Sequence, residues 1–142
     1  MRTTTILLLL IYSYVFGQKT ESGTINFDGI YETKCDYEDD DEGEKSFLRF
    51  YPNNKVISVG TECDATVSDL KSWFNMKMEY PSVGNYEING KKIRFSTTSV
   101  TGTVNYRGRI TKKGILKLKI ESLINGFEHR EKYQFVKVVD LE

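Results

Sequence analysis

Histidine and tryptophan each occur once in this chain of 142 residues, and cysteine only twice. Any catalytic triad or metal cluster that needs imidazole must be built around His129 alone. Two thiols are too few for a structural zinc site, so no metal and no cofactor is expected. No Ser or Cys stands in a strained glycine elbow and no acid pair suggests glycoside chemistry, so the chain is read as non-enzymatic. Nor is there an excess of charge: 20 Lys and Arg balance 20 Asp and Glu, which implies neither nucleic acid nor an anionic membrane as a partner. Beyond the N-terminal apolar run there is no second hydrophobic span.

That first run does have a reading. Residues 1–17 carry one Arg, an apolar stretch from Ile6 to Ile11 and a small residue, Gly17, at the cut site, the pattern of a secretory signal peptide. The expected location is therefore periplasmic or secreted. Residues 18–27 are rich in Ser, Thr and Gly and read as a flexible tail, leaving residues 28–139 as one domain with enough chain for a core. In an oxidising compartment Cys35 and Cys63 read as a disulfide closing about 28 residues, worth about 3 kcal/mol; the alternative is two unpaired thiols.

The back half alternates apolar and polar residues between short Gly-bearing turns, the signature of antiparallel strands. Taking Asn125-Gly126 as a two-residue hairpin turn sets Leu118 against Tyr133, Ile120 against Glu131 and Ser122 against His129. Lys112-Lys113-Gly114 as a three-residue turn sets Tyr106 beside Ile120 and Gly108 beside Leu118. A loop from Ser99 to Gly102 sets Phe95 beside Tyr106, and an Asn89-Gly90 turn sets Tyr86 against Ile93. One inner face results, greasy at one end and polar at the other, where Thr97, Ser122 and His129 lie. The outer face then pairs Glu121 with Arg130 and Lys119 with Lys132.

In the front half, a first strand runs from Gly29 to Tyr37 and a hairpin turns at Pro52-Asn53-Asn54-Lys55, with Leu48 facing Val59 and Phe50 facing Ile57. Both faces of that hairpin are partly apolar, so the pattern does not say which points inward. A single helix is expected from Val67 to about Phe74, with Val67, Leu70, Trp73 and Phe74 as an apolar stripe, Thr66 as N-cap and Asp69 three residues on as a weaker relative of the capping box. It is expected to cover one side of the hairpin.

Eight antiparallel strands in simple succession close on themselves because closure removes both edges. The expected fold is all-β: an eight-stranded up-and-down barrel with one short helix between strands 3 and 4. Asp28-Gly29-Ile30-Tyr31 resembles the Gly-x-Trp start of the first lipocalin strand, with Tyr31 in place of Trp, and Leu48 to Val56 is similar to a strand-turn-strand of small lipocalin-like domains, including one in certain F-box proteins. The chain thus resembles the lipocalin-like, or calycin, barrels. That resemblance implies an open mouth at the polar end, with the helix near it as a lid, and a lumen that holds a small apolar or amphipathic ligand.

The candidate binding residues are Phe95, Thr97, Tyr106, Leu118, Ser122, His129, Glu131 and Tyr133. Ile93, Phe95, Leu118 and Tyr133 would face the ligand body; Tyr106, Ser122, His129 and Glu131 its polar head. Glu131 lies two residues from His129 on the same face, where the pleat brings the two side chains together; it binds a cationic or hydroxyl-bearing ligand, pairs with Arg49 or simply completes a structural polar pair. The acidic run Glu38 to Glu44 is either a solvated turn or a weak Ca²⁺ loop. The alternative function is a barrel filled by its own side chains that works as a protein-interaction or envelope-structural module.

Overall fold

The computed structural model describes residues 23–37 and 42–141. The expected signal peptide, residues 18–22 of the expected tail and the first four residues of the acidic run, Glu38 to Asp41, lie outside them. Eight strands, β1 (Gly29–Glu32), β2 (Glu44–Phe50), β3 (Lys55–Glu62), β4 (Ser82–Asn89), β5 (Lys92–Ser99), β6 (Gly102–Ile110), β7 (Leu116–Ser122) and β8 (Glu128–Lys137), pair in sequence order. β1 also pairs with β8, so the sheet is a closed antiparallel barrel. The helix α1 (Val67–Trp73) lies between β3 and β4, as the pattern predicts. Its capping box is present: the Thr66 hydroxyl accepts from the Asp69 N–H, and the Asp69 carboxylate accepts from the Thr66 N–H at 2.9 Å.

The β5–β6 and β6–β7 registers follow the sequence reading, with Phe95 opposite Tyr106 and Tyr106 opposite Ile120. Two others differ by two residues. In β4–β5 the tip is Gly90-Lys91, with Gly90 at φ 61°, so Tyr86 pairs with Phe95 rather than Ile93. In β7–β8 a four-residue loop replaces the Asn-Gly turn: Ser122 N–H bonds Phe127 O, and of the loop only Gly126 has positive φ. Leu118 therefore pairs with Glu131, Ile120 with His129 and Leu116 with Tyr133. A shift of two keeps every side chain on its face, so the inner row survives both corrections.

The β2–β3 hairpin is displaced by one. Its loop is Pro52-Asn53-Asn54, closed by Tyr51 N–H to Lys55 O with Asn54 at φ 63°, which pairs Phe47 with Val59 and Phe50 with Val56. Leu48, Phe50 and Val56 thus enter the lumen, while Phe47 and Ile57 point outward. That outer apolar strip is covered by the helix: Leu70 and Phe74 pack with Ile30, Phe47, Ile57 and Val138. The helix lines the outer wall instead of lidding the mouth, because burying this strip removes apolar surface from water. Arg49 is buried there too, donating from Nη1 to Phe74 O at 2.9 Å and from Nη2 to Leu141 O at 3.1 Å, and so tying down a helix-terminal carbonyl. It faces away from Glu131, and the anticipated pairing of the two is not made.

β1 is shorter than expected, ending at Glu32; Asp36 meets Glu44 in an isolated bridge. Cys35 and Cys63 form the disulfide, tying the ends of β1 and β3 at the open end. Of the expected tail, Gly23 to Phe27 lies at the opposite end. Gly23 N–H bonds Gly90 O at 2.8 Å, Asn26 N–H bonds the Tyr31 hydroxyl, and Ile25 is buried in the lumen core.

Candidate functional site

Inward side chains meet across the barrel axis rather than standing off from it. Phe50 lies edge-on to Tyr31, Tyr86 and Phe95, with centroids 5.5, 5.1 and 5.5 Å away. Phe95 stacks on Tyr106 at 4.5 Å, and Tyr31 meets Phe135 at 5.3 Å. Leu116, Leu118, Ile120 and Tyr133 complete this cluster, each at most 5% exposed. Gly108, a small residue on the inner row, does not open a void: a Cβ there would collide with the carbonyl of Lys117, so the glycine serves a close approach of β6 to β7.

Of the candidate residues, Phe95, Leu118 and Tyr133 belong to this packed interior. Tyr106 marks its upper limit: its hydroxyl lies 2.9 Å from Ser58 Oγ across the lumen, and Thr97, fully buried, sits one pair further along β5. Burial pushes the Tyr106 phenol above its ordinary pKa, with the Ser58 and Thr97 hydroxyls opposing. Burial does the same to Tyr133, where nearby Tyr106 and Glu131 add to the rise and Ser46 opposes it. Both phenols are held neutral, suited to hydrogen bonding rather than to proton transfer near neutral pH.

Ser122, His129 and Glu131 lie at the open end, half-buried. His129 Nε2 stands 4.0 Å from Glu131 Oε1, its ring lies 5.1 Å from that of Phe127, and its Nδ1 is buried with no partner among the described residues. The candidate residues thus divide into a packed aromatic interior and a half-buried polar rim. The sequence reading missed Ser46 and Ser58, the hydroxyls from β2 and β3 that face the rim. The alternation Ser46-Leu48-Phe50 and Val56-Ser58 carried the signal, but it is readable only once the hairpin register is known.

The open end also exposes apolar residues. Val100, Leu123, Ile124 and Phe127, all more than half exposed, occupy the β5–β6 and β7–β8 connections, which Leu123 N–H to Thr103 O brings together. Among the described residues no cluster of three or more His, Cys, Asp or Glu could hold a metal ion, and no helix is long and apolar enough to cross a membrane. No protein-family model matches the chain, and no curated protein matches its sequence. Its likeness to lipocalin-like barrels is one of architecture.

Proposed function

We propose that this chain is an exported, non-enzymatic interaction domain whose barrel is a rigid scaffold and whose outer surface meets the partner. The observation that carries this reading is the aromatic network centred on Phe50, which occupies the space where an apolar ligand body would lie against Ile93, Phe95, Leu118 and Tyr133. Interiors packed in this way leave few voids larger than a water molecule, whereas a carrier needs a cleft of roughly 300 Å³ or more. The disulfide suits an oxidising compartment outside the cytosol. The exposed apolar residues at the open end suit a surface that meets other molecules.

Native mass spectrometry of protein purified from its own source tests this. The expected mass is that of the processed polypeptide alone; a stoichiometric retained small molecule contradicts the reading. A second reading keeps a small ligand but moves it outward, onto the rim formed by Ser122, His129 and Glu131. The half-exposure of these three residues favours it. Under that reading Glu131→Gln and Tyr106→Phe would each change retention of a polar-headed ligand, and unchanged retention in both would exclude it.

A further inference from the structure

The outward face of β5 to β8 carries cations in two cross-strand rows. Lys92, Arg109, Lys117 and Lys132 align in one row. Two residues along the strands, Arg94, Arg107, Lys119 and Arg130 align in the next. All are exposed except Lys119, which is half-buried. With strands about 4.8 Å apart and about 6.8 Å per residue pair, the backbone beneath these groups spans roughly 14 by 7 Å. Directly opposed like charges disfavour a sheet, and each row contains an unbroken series of them. Relief is slight. Glu87 meets Arg94 at 2.6 Å and Glu128 meets Lys119 at 2.8 Å, while Arg107, Arg109, Lys117, Arg130 and Lys132 make no ion pair among the described residues. An open trough of about 1210 Å³ runs over this face, with Ile93 and Gly108 also in its lining. In a chain whose formal charge sums to zero, so dense a patch is a local asymmetry that folding does not require.

We propose that this face binds an acidic polysaccharide, a glycan bearing sulfate or uronate groups, lying along the two rows across the strands. The proposal rests on the reading that the domain works through its outer surface, and it names the partner. Arginine forks match sulfate and carboxylate oxygens bidentately, and half of the eight cations are arginines. Toward the open end the same face continues with groups that suit sugar hydroxyls: Ser96 beside Asn105 and Thr98 beside Thr103. At β7 and β8 that flank turns acidic, Glu121 opposite Glu128, which confines a polyanion to the cationic rows. Single-stranded nucleic acid fits less well, because the aromatic residues of these strands point inward and none is offered for base stacking. A membrane fits less well too, since no exposed large apolar residue belongs to the two cationic rows, and Val100, Leu123, Ile124 and Phe127 cluster at the barrel end.

Heparin and polygalacturonate serve as sulfated and uronate probes, with neutral dextran, a single-stranded oligonucleotide and anionic phospholipid vesicles alongside. At least one acidic glycan should bind more tightly than the oligonucleotide or the vesicles, and its affinity should fall about tenfold or more between about 50 and about 200 mM salt. The double variant Arg107→Gln/Arg109→Gln should lose about tenfold or more in affinity while unfolding at an unchanged or higher urea concentration, because it relieves like-charge repulsion. Lys71→Gln/Lys77→Gln makes the same charge change on exposed residues outside the grid and should leave binding intact. No binding of either glycan at low salt, equal loss in the two double variants, or tighter binding of the oligonucleotide or vesicles would overturn the proposal. Failure here with no small molecule retained in the native mass spectrum removes the glycan and leaves the surface reading standing. A retained lumen ligand removes the surface reading, whatever the glycans do.

Discussion

Replacing Phe50 by Ala tests the filled lumen where it is most sensitive. The ring is 1% exposed and touches three others edge-on. Truncating a buried Phe costs about 3–5 kcal/mol through lost transfer energy and the cavity left behind. Aromatic pairs add about 0.5–1.5 kcal/mol each beyond burial, which places this site near the upper end, at about 4–5 kcal/mol. Against a total stability of about 5–15 kcal/mol that is a large share, so Phe50→Leu, expected to lose about 1.5 kcal/mol, provides a folded companion. Urea unfolding followed by near-ultraviolet circular dichroism reads both, as a lower midpoint at constant slope. Phe50→Ala should also gain affinity for a benzene-sized apolar probe that the parent excludes. A hollow lumen predicts otherwise: the ring would already border empty space, and its loss would cost only the transfer term, about 2 kcal/mol. That smaller loss, with equal probe uptake by parent and variant, would refute the reasoning.

Thr66→Ala removes the N-cap hydroxyl that accepts from Asp69 N–H and should cost about 1 kcal/mol in urea unfolding; no change would mean that the capping box does not hold the helix. Cys35→Ser/Cys63→Ser opens a loop with a sequence separation of 28 and should cost about 3.5 kcal/mol by chain entropy, with a loss below about 1 kcal/mol counting against the bridge as a stabiliser. Burial raises the phenol pKa of Tyr106 and Tyr133 above the unfolded value, so their contribution is complete below about pH 10 and is lost as pH climbs toward the folded values. Each should cost about 1.4 kcal/mol of stability per pH unit in that window, and tyrosinate absorbance should rise together with unfolding. Ionisation of these phenols in a still-folded protein would contradict their burial.

How far the sequence reached depended on what each signal constrains. Alternation in β4 to β8 specifies which side chains face inward, and that reading held even where Tyr86 and Tyr133 changed partners. It does not specify turn length, and both Asn-Gly dipeptides led to a register error of two. Asn89 joins the strand, leaving Gly90-Lys91 as the tip, while Leu123 and Ile124 enter a longer loop tied to β6. The β2–β3 hairpin was harder, because α1 buries its outer face and alternation then carries no sign. The cationic face was hidden by the same slip. Pairing Glu121 with Arg130 made the outer side look mixed, whereas the true register sets Lys119 against Arg130 and Lys117 against Lys132. The packed interior was legible only in part, since aromatic residues on the inner row suit a pocket wall or a plug equally. Their mutual contacts across the axis, with Phe50 supplied by β2, support the plug.

Crystals of the unmodified protein pressurised with xenon test the filled lumen most directly, because xenon enters dry apolar voids and is seen by its scattering. No xenon should appear among Tyr31, Phe50, Phe95, Leu118 and Tyr133. A well-occupied xenon site enclosed by those side chains would contradict the account and return the barrel to the carriers.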